Sequence, residues 1–219
     1  MCIPSMPIKV TKITTRYEPG NVMNGNRIMD DEQNRIFTAF NDELQRLGDE
    51  LDPLKGINSK SAHTLQIISF HLTYEFYLDC WLNFKLNGGK SLFSGISSIG
   101  FFNKMYLAKN AGMPKPIFHA LDLINKERND LAHKVEKREV SAEKIDDFVE
   151  KIDAISPGGI KVEMLTISEV GRDVTIKCED SGGRLLIALH GLLGQLRSFI
   201  YIDIYEQYSF PYEPGMKHV

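Results

Sequence analysis

The most informative stretch of the sequence runs from Pro116 to His133 and reads PIFHALDLINKERNDLAH. Its apolar residues recur at intervals of three and four, which is the spacing of one face of an α-helix. Arg128 falls on this apolar stripe, and Asn129 and His133 share a neighbouring face one turn apart. Because a buried charge is costly without a partner, an arginine at such a position needs an ion-pair partner or a functional role. The end of this helix is therefore the first candidate for a functional site.

Arg128-Asn129 and Ala132-His133 resemble the Arg-x(4–6)-His motif of HEPN domains. These domains are small α-helical bundles, and many are metal-independent ribonucleases of toxin–antitoxin and phage-defence systems. The helices upstream, from about Ser61 to Lys151, also look like that fold. The resemblance implies a mainly α-helical protein with an antiparallel, HEPN-like bundle. It also implies a homodimer in which two motifs face one cleft, with RNA as the substrate and no cofactor.

Arg128, Asn129 and His133 have the chemistry that metal-free RNA cleavage requires. Histidine titrates near neutral pH and can act as acid or base, and the planar guanidinium of arginine suits a phosphate. Asn129 could orient His133 or hold a phosphate oxygen. One histidine is too few for separate acid and base, so the second would come from the other copy.

A non-catalytic function is the alternative. The fold also resembles that of the mannitol-operon repressor family, whose members act through binding, so a regulator or a protein-binding module remains open. In that case His133 caps the helix or packs at its end, and Arg128 pairs with Glu75, Asp79 or Asp130. An antitoxin or a regulatory protein is a further expected partner.

Two other groups of residues bear on the site. Glu75 and Asp79 lie one turn apart in a strongly apolar helix, where they face a rim or bind a lysine, or where Glu75 orients Arg128. Arg184 and His190 form a second match to the motif. The first match is favoured because it has a polar residue after the arginine, a small residue before the histidine and helices of the expected length upstream.

Composition predicts a folded cytoplasmic protein. The chain of 219 residues has a net charge of −3 and 42% hydrophobic residues, which excludes a disordered polycation. Its three cysteines show no metal-type spacing, and the first residues lack the pattern of a signal peptide. The apolar run Leu185–Tyr205 carries His190, Arg197 and Asp203, so we expect a buried helix and no membrane span. No metal site is expected.

The periodicity along the chain predicts three segments. Residues 1–29 form an irregular arm, residues 30–155 the HEPN-like helical bundle, and residues 156–219 a β-hairpin and a long C-terminal helix packed on the same core or at a dimer interface. Helices are predicted over Asp30–Leu51, Ser59–Leu86, within Lys90–Ala111, over Pro116–Lys134, from Ser141 to about Ile155, and over Arg184–Tyr208. Alternating apolar residues between Ile160 and Cys178 predict the hairpin.

Overall fold

A computed structural model describes residues 29–51, 57–58, 61–95, 99–133, 139–153, 155, 164–169, 172–177 and 180–209. Within these ranges the chain forms six helices and one pair of short strands, so the protein is mainly α-helical. The predicted irregular arm lies outside the described residues except for Met29, and so does the tail from Pro211 to Val219.

Helix α1 (Asp31–Glu50) begins and ends within one residue of the prediction. Its start is defined by a capping box. The Asp30 carboxylate accepts from the Gln33 backbone N–H at 2.8 Å, and the Gln33 side chain accepts from the Asp30 N–H at 3.1 Å. Two backbone donors that a helix start leaves open are thereby satisfied.

Helix α2 (His63–Asn87) is the central element and contacts α1, α3, α4 and α6. Its contacts on several sides explain why so many of its apolar residues are buried. Gly88 ends the helix in the left-handed conformation, with φ of 58°. The helix ends within one residue of the predicted Leu86, and a glycine follows it because only glycine enters this region without a steric cost.

Helix α3 (Phe101–Asn110) is shorter than the apolar positions from Phe93 onward predict. Residues 92–95 instead form a turn in which Gly95 has a φ of 80°. Phe93 still packs against the core, which explains its place in the apolar pattern. The apolar pattern thus predicted the burial of Phe93 correctly, but Phe93 does not belong to a helix.

The direction of α3 follows from its contacts with α2. His71 contacts Phe101 and Glu75 binds Lys104, so both helices advance in the same direction. The end of α2 and the start of α3 therefore lie about 24 Å apart along α2, at the rise of an α-helix. Thirteen residues can span about 43 Å, which is ample.

Helix α4 (Lys115–His133) turns back from α3 after a short connection, and its bounds lie within one residue of the prediction. Tyr106 contacts Phe118, and His71 contacts Asn125. Helix α4 therefore runs antiparallel to α3 and to α2. Helix α5 (Ala142–Asp153) follows and packs on α4 and α6.

Two strands precede the last helix. Strand β1 (Met164–Glu169) pairs antiparallel with β2 (Arg172–Lys177), with Met164 opposite Lys177 and Glu169 opposite Arg172. Strand β2 contacts the last helix, which follows it directly in the chain.

Helix α6 (Ser181–Ser209) begins three residues earlier than predicted, because the Asp180 carboxylate caps the Gly183 N–H at 2.6 Å. The Tyr74 hydroxyl donates to the Leu189 carbonyl at 2.7 Å, and the Trp81 indole donates to Asp203 at 2.8 Å. These contacts place α6 beside α2 in the same direction. An antiparallel arrangement thus holds for α4 against its neighbours but not for α2 with α3 or α6.

Burial of α6 accounts for its wide apolar surface. Length and composition would allow this helix to cross a membrane, a property that the core helix of a soluble protein shares. In this fold it packs on α1, α2 and α5. Of the two roles predicted for α6, core element and dimer seam, its contacts show the first. Its fully buried apolar side chains include Leu186, Leu189, Leu192, Leu196, Ile200 and Ile204.

Candidate functional site

The motif residues lie at the C-terminal end of α4 and are accessible. Arg128 and His133 are exposed and Asn129 is half-buried, with His133 as the last residue of the helix. The Arg128 Nη1 donates to the Asn129 side-chain oxygen at 3.1 Å. The guanidinium is therefore oriented by its neighbour while most of its donors remain available to an anionic ligand.

The prediction that Arg128 lies on a buried surface is wrong. The buried charged residue of this turn is Glu127, which is 6% exposed. Lys144 of α5 binds Glu127 and also contacts Asp130 at 3.2 Å, and the hydrogen bond to Glu127 raises the pKa of the lysine. The acidic neighbours of Arg128 are thus paired with another cation. The long arginine side chain reaches water from the apolar stripe, which avoids the cost of dehydrating its charge.

Glu75 and Asp79 bind a lysine rather than Arg128. The Lys104 ammonium lies 2.8 Å from Glu75 and 2.7 Å from Asp79. Burial alone would lower the pKa of Lys104, but the hydrogen bonds to Asp79 and Glu75 outweigh it and raise the pKa. The prediction that these carboxylates support Arg128 by direct contact is therefore wrong. The two carboxylates instead clamp α3 onto α2, because Lys104 is the charged residue that α3 places between them.

His71 is a neighbour of the motif that the sequence did not indicate. Its Nε2 lies 3.4 Å from the side-chain oxygen of Asn125, one turn before the motif, and its ring packs on Phe101 with centroids 4.2 Å apart. Burial lowers the pKa of His71, and the nearby positive charge of Arg128 also acts in that direction. A neutral His71 that carries its proton on Nε2 donates to Asn125. No periodicity distinguishes such a residue from an ordinary core histidine.

The second motif match has no comparable geometry. Arg184 pairs with Asp146 of α5. The ring of His190 packs edge-on against Phe70 at 4.7 Å, and its buried Nε2 has no hydrogen-bond partner among the described residues. Burial lowers the pKa of His190 to about 3. A histidine that stays neutral down to such a pH cannot serve as a general acid near neutrality.

A serine, a histidine and a glutamate also meet where α2 and α6 begin. His63 Nε2 lies 3.5 Å from the Ser181 hydroxyl, and its Nδ1 lies 2.9 Å from a Glu139 oxygen. However, the Val140 backbone N–H donates to the same Nδ1 at 3.0 Å. Because Val140 is buried and its N–H needs this acceptor, the imidazole proton belongs on Nε2. That tautomer cannot take a proton from Ser181, so the group joins chain segments rather than activating a nucleophile.

Other chemistry has less support in the described part of the chain. No cluster of three or more potential metal ligands occurs there. Cys80 is buried, and burial raises the pKa of its thiol to about 12. A thiol in that state is a poor nucleophile at neutral pH.

Comparison with known proteins adds no assignment. No family model, no curated protein and no solved structure matches this chain. The proposal for its function therefore depends on the residues themselves and on their geometry.

Proposed function

We propose that the protein is a metal-independent endoribonuclease of HEPN type that acts as a homodimer, in the role of a toxin or defence effector. The observation that carries the proposal is the accessible arrangement of Arg128, Asn129 and His133 at the end of a helix in a mainly helical protein. Within the part of the chain that the structure describes, neither Arg128 nor His133 has an ion-pair partner, so both side chains are available to a phosphate and a hydroxyl.

The reaction begins with the 2′-hydroxyl of the RNA. His133 removes the proton from this hydroxyl, whose oxygen attacks the adjacent phosphorus. The bond from phosphorus to the 5′-oxygen breaks, and the leaving oxygen takes a proton from the histidine of the second copy. Arg128 binds the phosphate oxygens, on which negative charge develops. The products are a 2′,3′-cyclic phosphate and a free 5′-hydroxyl.

An exposed apolar stripe on α2 supports self-association. Its residues are Leu65, Ile68, Leu72 and Phe76, spaced by three and four, and they are 37–50% exposed. Since α2 and α4 are antiparallel and His71 lies beside Asn125, the turn of α2 that holds Ile68 lies level with Arg128. A second copy packed on this stripe would bring two motifs together. Patches of this kind mark interaction sites on soluble proteins.

The same stripe favours the alternative function. A non-catalytic regulator or binding module, as in the resemblance to the mannitol-operon repressor family, would use the stripe to bind a different protein. In that case the motif would stabilise the end of α4 without cleaving RNA.

The decisive experiment is cleavage of an end-labelled single-stranded RNA in the presence of EDTA. We expect cleavage by the wild type, loss of cleavage in His133→Ala, and a decrease of at least about 10²-fold in Arg128→Ala, since one charge-stabilising donor is lost. His119→Ala is the matched control, because His119 is an exposed histidine on the same helix. RNA with 2′-deoxyribose at the cleaved position should be resistant.

Two outcomes would overturn the proposal. Equal cleavage by the wild type and His133→Ala would show that the motif is not catalytic. A monomer by light scattering at micromolar concentration would remove the source of the second histidine. Binding of a partner protein without RNA cleavage would favour the regulator.

A further inference from the structure

Two aromatic rings of α3 are exposed side by side. Phe102 is 51% exposed and Tyr106 is 42% exposed, although the large aromatic residues of the core are buried. They lie one turn apart, and their ring centroids are separated by 4.6 Å. Adjacent exposed rings cost hydrophobic free energy in a free protein, so they mark a binding surface.

The ring of Tyr106 lies against α4, on the side that carries part of the motif. Tyr106 packs edge-on against Phe118 of α4, with centroids 5.3 Å apart at 82°. From Phe118, residues 122, 126, 129 and 133 follow at intervals of four, four, three and four, so Asn129 and His133 share this face. Because α3 and α4 are antiparallel, Phe102 lies nearer than Tyr106 to the motif.

A chain of contacts supports this placement. Phe101, the neighbour of Phe102, contacts His71, and His71 contacts Asn125 one turn before Asn129. The start of α3 thus lies near Asn125, about 12 Å along α4 from His133 at the rise of an α-helix. A ligand that lies on Phe102 can extend to the motif without leaving this surface.

A lysine lies over one of the two rings. The Lys109 ammonium lies 5.4 Å from the Tyr106 centroid and 4.9 Å from that of Phe118. Lys126 is mostly exposed and pairs with Asp122 at 2.7 Å, and Arg128 follows two residues later. The charge of Lys126 is therefore balanced locally, whereas Lys109 and Arg128 offer positive charge to an anionic ligand.

We propose that Phe102 and Tyr106 form a stacking platform that holds unpaired bases of single-stranded RNA beside the motif. Unpaired bases stack on exposed aromatic side chains, while nearby cations contact the phosphates. A duplex cannot use the platform, because its base faces are already stacked. The platform deepens the proposed function, on which it rests, by defining the substrate class as single-stranded RNA.

The test measures binding separately from cleavage. A fluorescein-labelled uridine oligonucleotide and a duplex RNA of equal length are titrated in the His133→Ala background, where the RNA stays intact. Phe102→Leu and Tyr106→Leu keep apolar bulk but remove the aromatic face. We expect each to weaken single-strand binding roughly 5- to 150-fold, with little change for the duplex. Tyr205→Leu on α6, where the ring stacks on Tyr201 at 6.4 Å, is the matched control and should bind as the parent does.

Each contrary result has a separate meaning. Unchanged single-strand affinity in both variants, or equal affinity of the parent for duplex and single strand, overturns the platform. Dissociation of the dimer in Phe102→Leu by light scattering would assign the rings to a protein interface instead. Ring-dependent binding without cleavage by the wild type would retain the platform and refute the nuclease. Cleavage by the wild type together with an unchanged KM in the leucine variants would retain the nuclease and refute the platform.

Discussion

Replacing Lys104 by methionine should loosen the attachment of α3 to α2. The ammonium makes charge-assisted hydrogen bonds of 2.8 Å to Glu75 and 2.7 Å to Asp79. Its side chain is 10% exposed, whereas the two carboxylates are 26% and 28% exposed and are partly screened by water. Each hydrogen bond should therefore contribute about 1.5 kcal/mol to the free energy of unfolding, which is the low end of the range for hydrogen bonds to charged groups. The expected loss in the free energy of unfolding is about 3 kcal/mol.

Chemical denaturation at pH 7 measures this loss, and methionine retains the unbranched apolar stem. The control is a triple variant with Lys104→Met, Glu75→Gln and Asp79→Asn. It should recover most of the stability, because neutral amides do not need a buried cation. A loss below about 1 kcal/mol in Lys104→Met, or no recovery in the triple variant, would refute the reasoning about the clamp.

Two further predictions concern contacts of α6. Asp203→Ala should lower the free energy of unfolding by about 1–3 kcal/mol, because the buried Trp81 indole N–H loses its acceptor; Asp203→Asn keeps an acceptor and should lose less. The fluorescence of Trp81, the only tryptophan, follows both transitions, and equal losses would contradict this account. Folding lowers the pKa of His190 from 6.5 to about 3. Between pH 6.5 and pH 3 the unfolded chain therefore binds a proton on this histidine that the folded protein does not bind. The free energy of unfolding consequently falls as the pH falls. Between pH 7 and pH 5 this histidine should cost about 2 kcal/mol, and His190→Leu should lack that part of the pH dependence in urea titrations.

Local patterns were sufficient for most helix positions. The predicted start of α1 at Asp30 and the predicted end of α2 at Leu86 each lie within one residue of the structure, because helix ends depend largely on neighbouring residues. The period of apolar residues likewise predicted α4 to within one residue. The same period failed at Phe93, since an apolar residue in a turn can be buried as well as one in a helix.

The candidate motif was visible in the sequence because its residues lie within two turns of one helix. Its surroundings were not, because they come from segments far apart in the chain. Whether Glu75 would bind Lys104 or Arg128 depended on the direction in which α3 runs, and the spacing of residues in α2 carries no information about that.

Tertiary packing also decided which side chains are exposed. The sequence determined that Phe102, Tyr106 and Arg128 belong to helices, since that property follows from local periodicity and caps. Only the packing of α3 and α4 determined that Phe102 and Tyr106 remain in water while Phe101 is buried. Burial of Glu127 beside Lys144, with Arg128 in solvent, likewise required α5 to lie against α4. The ion pairs and the exposure of side chains depend on which helices pack against each other, and this packing brings together residues that are distant in the sequence.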